Sequence, residues 1–285
     1  MLASLAAQTR LPDQVVIVDQ DGSSRALARE FSKLDVTVIV LPGSASSKRN
    51  VGFKAVRPEI TLIGFMDDDI VLEATAIELT ERFWRNAPPG LGGTSCAYAN
   101  APSAFGRGVK KPRLLSALGI YGHEPGCVAR SGFQTWVGDS DAVTFVRWLP
   151  AGAAFYTSRV LNEFAFDEWF SGYSYLEDLE FSYRIGKKYG LAVVPGARFH
   201  HYPSKVGRPD WRSFGSKEVV NRLYFVGKNP ELSEPLCCLA LSIRALMSMF
   251  LGVRELEPGY FKRVAGNLAG FAKAARRRFA PPCEE

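Results

Sequence analysis

The sequence predicts an α/β fold: a mostly parallel, Rossmann-like sheet flanked by helices, followed by a C-terminal helical appendage. Three observations carry that reading. Apolar, β-branched runs alternate with helical patterns up to Asn86, the alternation that parallel strands with helical crossovers require. The run Leu62-Ile63-Gly64-Phe65-Met66 passes straight into Asp67-Asp68-Asp69, like a strand buried on both faces that emerges at a ligand-binding edge. After Pro209 the strand signals stop and the pattern turns helical. The expected domains are therefore residues 1–208 and 209–285.

Leu2 to Ala7 reads as the end of a helix. Gln14 to Asp19 is a buried strand ending in a carboxylate, and the serines of the Gln20–Ser24 turn can cap a helix over Arg25–Lys33. Val36–Leu41 is β-branched and extended. Gly43–Ser47 is a small-residue loop, and Lys48-Arg49-Asn50-Val51-Gly52 opens the next helix. The strand over Leu62–Asp69 leads to a helix from about Glu73 to Asn86. Between Gly90 and Trp148 the pattern loosens, which implies irregular strands and loops beside the main sheet. Pro150–Tyr156 is a small-residue run entering a strand, where Gly152 permits either close ligand approach or tight internal packing. An aromatic and acidic stretch, Phe164 to Tyr175, precedes a helix from Glu177 to about Tyr189 that Gly190 stops. Short strands follow at Leu191–Pro195 and before His200. Helices are then expected over Trp211–Asn229, Leu236–Leu251 and Tyr260–Phe279, with a loose tail from Pro281.

The composition is that of an ordinary globular protein: 285 residues, 47% hydrophobic and 22% charged, with abundant aromatics that argue against disorder. Net charge is +6 and pI about 9.1, which favours anionic partners. Lys110-Lys111-Pro112-Arg113 reads as a solvated loop, and no nucleic-acid partner is expected. The five cysteines are odd in number and lack a CxxC spacing, so neither a disulfide framework nor a zinc site is indicated and a reducing compartment is expected. Met1–Gln8 is short and has no basic start, so no secretory leader is expected.

Three adjacent carboxylates would repel one another in a dry interior, and a cation among them relieves that repulsion. Mg2+ or Mn2+ commonly bridges carboxylates to substrate phosphates. In an extended chain Asp67 and Asp69 share one face, with Asp68 turned away. The same residues also fit a solvated acidic turn. Lys48 and Arg49, at a helix start, could neutralise a diphosphate, and Asp19 and Asp21 could hold a base or ribose. Asp178, or equally on chemistry alone Glu177, could serve as general base toward a hydroxyl; both also fit the ordinary preference for acids at a helix N-terminus. Trp169, Tyr173 and Tyr175 could stack on a sugar or belong to the core. His200 and His201 cannot both face one pocket from a strand, so one of them is a candidate metal ligand.

In this order the motifs resemble a family-2 glycosyltransferase of the A-type fold. Val16-Ile17-Val18-Asp19 with Asp21-Gly22-Ser23-Ser24 resembles its first nucleotide segment. Arg49-Asn50-Val51-Gly52 resembles its basic helix start, and Phe65-Met66-Asp67-Asp68-Asp69 its Asp-x-Asp metal motif. Ala151–Ala154 and Phe166-Asp167-Glu168 resemble the stretch before the acceptor site, and Glu177-Asp178-Leu179-Glu180 through Arg184 the Glu-Asp-x-Asp-Leu signature, with Glu180 where Asp is usual. His201 and Asn221–Tyr224 resemble later landmarks. The resemblance spans about Leu2 to Asn229.

It implies inverting transfer of a sugar from a nucleotide-diphosphate sugar to a hydroxyl-bearing saccharide or lipid-linked acceptor, in polysaccharide, glycolipid or cell-envelope synthesis. Asp178 would be the base. Asp19, Asp21, Lys48, Arg49, Asp67 and Gly152 would bind the donor. Asp67, Asp69 and His201 would hold Mn2+ or Mg2+. Trp169, Tyr173, Tyr175 and Glu177 would face the acceptor. The opening strand and Pro-Thr or Pro-Ser loop usual in the family do not precede the first helix here. One central strand and part of the nucleotide pocket are thus expected to be missing, and in-frame sequence upstream of Met1 is expected to supply them.

Two other readings compete: a nucleotide-sugar-binding protein of the same fold without turnover, and a metal-dependent nucleotidyltransferase, which would release pyrophosphate. Arg244 disfavours Leu236–Leu251 as a membrane span. With Arg276-Arg277-Arg278 downstream, the expectation is a cytoplasmic protein in peripheral contact with the inner face of a membrane.

Overall fold

The computed structural model describes residues 1–101, 113–138, 142–204 and 209–276. Lys110 to Pro112, Arg277, Arg278 and Cys283 lie outside them. In chain order the elements are α1 (Leu2–Ala6), β1 (Val15–Asp19), α2 (Ser24–Arg29), β2 (Val36–Val40), α3 (Ala45–Lys54), β3 (Leu62–Met66), β4 (Ile70–Leu72), α4 (Ala76–Arg85) and β5 (Leu91–Tyr98). Then come α5 (Arg113–Ala117), β6 (Thr144–Val146), β7 (Ala153–Thr157), α6 (Ser158–Glu163), α7 (Glu177–Gly186), β8 (Gly190–His201), α8 (Trp211–Gly227), α9 (Glu234–Arg254) and α10 (Pro258–Arg276). They group into two units: Met1–Gly108 with Trp136–Ser204, and Val109–Thr135 with Lys205–Glu285. Residues 113–135 group with the C-terminal helices.

In the first unit the expected α/β architecture is present, but the strand directions are mixed. β1 and β2 form a parallel two-stranded sheet. The larger sheet runs β3-β7-β5-β8-β4, with β6 also on β8. Only β5 and β8 are parallel there, the other ladders being antiparallel. Alternation along the chain reports how successive strands connect. Here β3, β7, β5 and β8 are neighbours in space without being neighbours in sequence, and antiparallel neighbours need no helical crossover.

β3 stops at Met66 rather than running to Asp69, and the chain resumes as β4 at Ile70. Breaking the strand lets Asp67, Asp68 and Asp69 turn to different surroundings, which relieves their mutual repulsion. Helix α3 begins earlier than expected because Ser44 caps it, accepting from Ser47 N–H at 3.2 Å.

β5 lies in the stretch where the sequence pattern loosens. Its glycines give a weak strand signal, yet they are what fits. A Cβ on Gly92 would come within 2.5 Å of Tyr189, and one on Gly93 within 2.7 Å of Tyr156.

Two apolar clusters hold this unit together. One gathers Leu5, Ile70, Leu72, Tyr98 and Phe199. The other gathers Phe65, Tyr156, Phe166, Phe181 and Leu191, with the Phe166 and Phe181 rings stacked 3.8 Å apart. A groove of about 550 Å³ opens between Val15 and Val16 of β1 and Leu62, Ile63, Gly64 and Met66 of β3. Among the described residues β1 pairs only with β2, and β3 only with β7. Both facing edges therefore lack a strand partner, and the single sheet expected from the sequence is interrupted here.

In the second unit α8 and α10 pack at backbone contact. A Cβ on Gly266 would sit 2.0 Å from the Arg212 carbonyl oxygen, and one on Gly215 2.2 Å from that of Arg263. Glu218 is buried between these helices and accepts from Arg244 Nε (3.0 Å), Arg263 Nη2 (2.8 Å) and Asn267 Nδ2 (3.3 Å).

Candidate active site

The acidic strand ends are brought together by the first turns of α3. Gly52 seats this helix on β1, where a Cβ would be 3.2 Å from the Val18 side chain. Lys48 Nζ then reaches Gln20 Oε1 (3.1 Å) in the turn after β1. The next residue, Arg49, turns the other way. Its Nη2 donates to Asp67 Oδ1 at 2.8 Å and its Nη1 to Glu177 Oε1 at 2.7 Å. One guanidinium thus joins the end of β3 to the start of α7. Burial alone would lower the Arg49 pKa, and the charges of Asp67 and Glu177 more than reverse that.

Asp178 stands beside this bridge. Its Oδ1 accepts from Leu179 N–H at 2.7 Å and its Oδ2 from Ala151 N–H at 3.3 Å. Among the described residues it forms no ion pair. Burial raises the pKa of both acids. Glu177 is pushed up to about 7 by desolvation, against the pull of Arg49 and with a further push from Asp178. Asp178 is raised by desolvation, which outweighs its backbone hydrogen bonds and Arg49. Leu176, just before them, has φ +77°, a conformation a leucine adopts only when its surroundings impose it.

Asp69 faces elsewhere. Its Oδ1 lies 2.9 Å from His201 Nε2, and its carbonyl accepts from Tyr202 N–H at 2.9 Å. The pair exists because β4 is antiparallel to β8 with Ile70 opposite His201. His200, one residue earlier, points to Glu73, with Nε2 to Oε1 at 3.3 Å, as alternation along a strand requires. The Tyr98 hydroxyl lies 3.4 Å from His201 Nδ1, and Asn100 exchanges two hydrogen bonds with the His201 backbone. Tyr98 and Asn100 carry no local sequence signal; the parallel pairing of β5 with β8 is what places them beside His201.

Asp19 and Asp21 hold their own turn. Asp19 Oδ2 accepts from Ser24 N–H (2.8 Å) and Ser24 Oγ (2.9 Å), which holds its pKa down at about 2. Asp21 Oδ1 accepts from Ser23 N–H at 3.0 Å. The Gly152 carbonyl accepts from Asp67 N–H (3.4 Å), and a Cβ at Gly152 would be 3.1 Å from the Phe199 ring. Trp169 is half-buried edge-to-face against Phe170, and Tyr173 and Tyr175 lie in the same segment. That segment is tied to α3 by Asn50, which bonds both the N–H and the carbonyl of Phe166 and also Glu168.

A divalent cation is the group this constellation invites. An adjacent carboxylate and imidazole, Asp69 and His201, form a donor pair that suits a hard to borderline ion. Asp67 is instead engaged by Arg49, and among the described residues no group of three or more His, Cys, Asp or Glu is assembled. The protein donors thus fit an ion whose remaining ligands come from substrate and water.

The sequence profile described as glycosyl transferase family 2 matches residues 1–116. No curated protein sequence matches the chain. Among solved structures, a mannosyltransferase from Pyrobaculum calidifontis in complex with GDP-Man and Mn2+ aligns with TM-score 0.53 at 16% identity, over 95% of this chain and 82% of that one. GalNAc-T7 with UDP, GalNAc and Mn2+ gives 0.49 at 13% identity, over 76% and 44%. Over residues 1–116 the chain is thus similar to glycosyl transferase family 2, and over most of its length it shares the A-type glycosyltransferase fold of that mannosyltransferase.

Proposed function

We propose that the chain transfers a sugar, with inversion, from a nucleotide-diphosphate sugar to a hydroxyl acceptor in polysaccharide or glycolipid synthesis. One observation carries the reading. Arg49 contacts Asp67 at 2.8 Å and Glu177 at 2.7 Å, so the acidic strand end and the later acidic pair share one site. Had they lain on opposite sides of the molecule, no single donor and acceptor could engage both.

Asp178 takes the proton from the acceptor hydroxyl. Its raised pKa makes it a stronger base than an ordinary carboxylate, and among the described residues it forms no ion pair. The acceptor oxygen forms the new bond to the anomeric carbon as the bond from that carbon to the diphosphate oxygen breaks. The nucleoside diphosphate leaves with both electrons. Asp19 and Asp21 hold the nucleoside end, with Lys48 and the α3 start beside the diphosphate. Asp69 and His201 would hold Mn2+ or Mg2+, which when bound neutralises charge on the leaving diphosphate. Trp169, Tyr173 and Tyr175 line the acceptor side. The mannosyltransferase with the same fold was solved with GDP-Man and Mn2+, so GDP-mannose belongs in the donor panel beside UDP- and dTDP-sugars.

The test is a donor screen with Mn2+ that reads released nucleoside diphosphate. Asp178→Asn is expected to keep donor binding and lose transfer. Transfer at the unmodified rate removes Asp178 from the base role, and pyrophosphate as the product moves the chain to the nucleotidyltransferases.

A further inference from the structure

We propose that the outer face of the α9–α10 pair is a docking surface for an anionic phospholipid membrane, on which these helices lie flat without crossing. This stands independently of the transfer reaction.

Helix α9 is long and apolar enough to span a bilayer by length and composition, with mean hydropathy 2.0, yet only 28% of that stretch is buried. Its buried face carries Cys237, Ala240, Leu241, Ser248 and Gly252. The opposite face presents Leu239, Leu246, Met249, Phe250 and Val253, with Leu246, Phe250 and Val253 each about two-thirds exposed (65%, 64% and 65%). From Pro235 to Val253 the only charge is Arg244. It is turned inward, donating to Glu218 at 3.0 Å and lying over the Phe133 ring. The exposed face is therefore free of charge along its length. At the turn after α9, Leu256 is 86% exposed in a left-handed conformation (φ +53°). Leu256 lies between exposed Glu255 and Glu257, so this tip is not part of the charge-free face.

Helix α10 supplies the charge. Its inner face, Gly259, Gly266, Asn267 and Gly270, is buried. Its outer face carries exposed Phe261 and Leu268, and Phe261 packs on Gly252, which joins the two apolar faces. Lys262, Lys273 and Arg276 are exposed on one flank and among the described residues have no carboxylate partner. Pro258–Arg276 contains no acidic residue. An apolar stripe flanked by unpaired cations is the pattern of an interfacial helix, and the cations complement anionic headgroups. A true span would tear Arg244 from Glu218 and Phe261 from Gly252.

The experiment is flotation of the full chain with vesicles of phosphatidylcholine, with and without phosphatidylglycerol, at low and physiological salt. Co-flotation with phosphatidylglycerol vesicles, weakened by salt, is expected. Leu246→Glu with Phe250→Glu should weaken binding by about tenfold or more. Lys262→Gln and Lys273→Gln should each weaken it roughly fivefold on anionic vesicles only. Leu27→Glu, an exposed leucine of the first unit, should change nothing. Circular dichroism of each variant confirms the fold. Absence of co-flotation at low salt overturns the proposal, as does unchanged binding of the double glutamate variant. A concentration-dependent dimer that the double variant abolishes, without vesicle binding, also overturns it and assigns the face to a second copy.

Discussion

Asn50 and Phe166, 116 residues apart, exchange two hydrogen bonds: Asn50 Nδ2 donates to the Phe166 carbonyl at 3.0 Å, and Phe166 N–H donates to Asn50 Oδ1 at 2.8 Å. A single side chain on α3 thus satisfies both backbone groups of one residue and fixes the segment that leads to Trp169 and the acidic pair. Asn50→Ala is expected to cost about 1–3 kcal/mol, the sum of two ordinary hydrogen bonds. Urea unfolding measures it. Limited proteolysis should show faster cleavage between Phe166 and Tyr175, and unaltered cleavage would mean that the segment is held by other contacts.

Arg49 is the keystone of the site. Replacing it by alanine strips the partner from buried Glu177 and from Asp67, a change that costs about 3–5 kcal/mol for a broken buried pair. Arg49→Lys keeps the charge but has one ammonium where a two-armed guanidinium now serves, so it should retain part of the stability and little of the transfer rate. Thermal melts and steady-state kinetics on both variants separate the two effects.

The pH dependence follows from the same acids. Glu177 has a folded pKa near 7 against an ordinary value of 4.5. The folded state therefore holds the proton more tightly than the unfolded chain. Stability from this group is greatest at low pH and declines as pH rises from about 4.5 to about 7. Glu177→Gln abolishes this titration, so its melting temperature should gain on that of the unsubstituted protein across that window. The opposite trend would mean that Arg49 outweighs burial. With Asp178 as the proposed base, its raised pKa is expected to place the acid limb of the rate profile above the ordinary carboxylate range, read from kcat/KM against pH.

Asp69 and His201 are the proposed ligands of the cation. Asp69→Asn or His201→Ala should weaken Mn2+ binding in the presence of nucleoside diphosphate by about tenfold or more, read by titration calorimetry or by Mn2+ paramagnetic resonance without turnover. His200→Ala, which removes a side chain facing Glu73, should leave Mn2+ affinity unchanged.

Gly93 tests the sheet. A methyl group there would lie 2.7 Å from the Tyr156 ring, and overpacking of this kind costs about 1–3 kcal/mol. Gly90 is a control for packing alone, since nothing lies within 4 Å of its Cβ position, although its φ of +84° carries a strain of its own.

Much of the first unit was legible because local chemistry acts over a few residues. Apolar runs gave β1, β2 and β3, a basic helix start gave α3 from Lys48 onward, and the acids before Leu179 gave α7. β5 was not legible, because Gly92 and Gly93 look like breakers until Tyr189 and Tyr156 are seen filling the space a side chain would take. The long β8 was read in two pieces because Pro195 and Gly196 interrupt it. In the structure they sit where its register with β5 shifts, between Val194 and Arg198.

By itself the sequence determined which residues can do chemistry here: three aspartates after a buried strand, an acidic pair opening a helix, a basic helix start, and an apolar helix near the end interrupted by Arg244. Those are properties of neighbours along the chain. Only the tertiary structure decided that Asp67 goes to Arg49 while Asp69 goes to His201, that Arg49 ties β3 to α7, and that Arg244 turns inward to Glu218. Each of those contacts joins distant segments, and its energy depends on the distance and burial that strand register and helix packing impose.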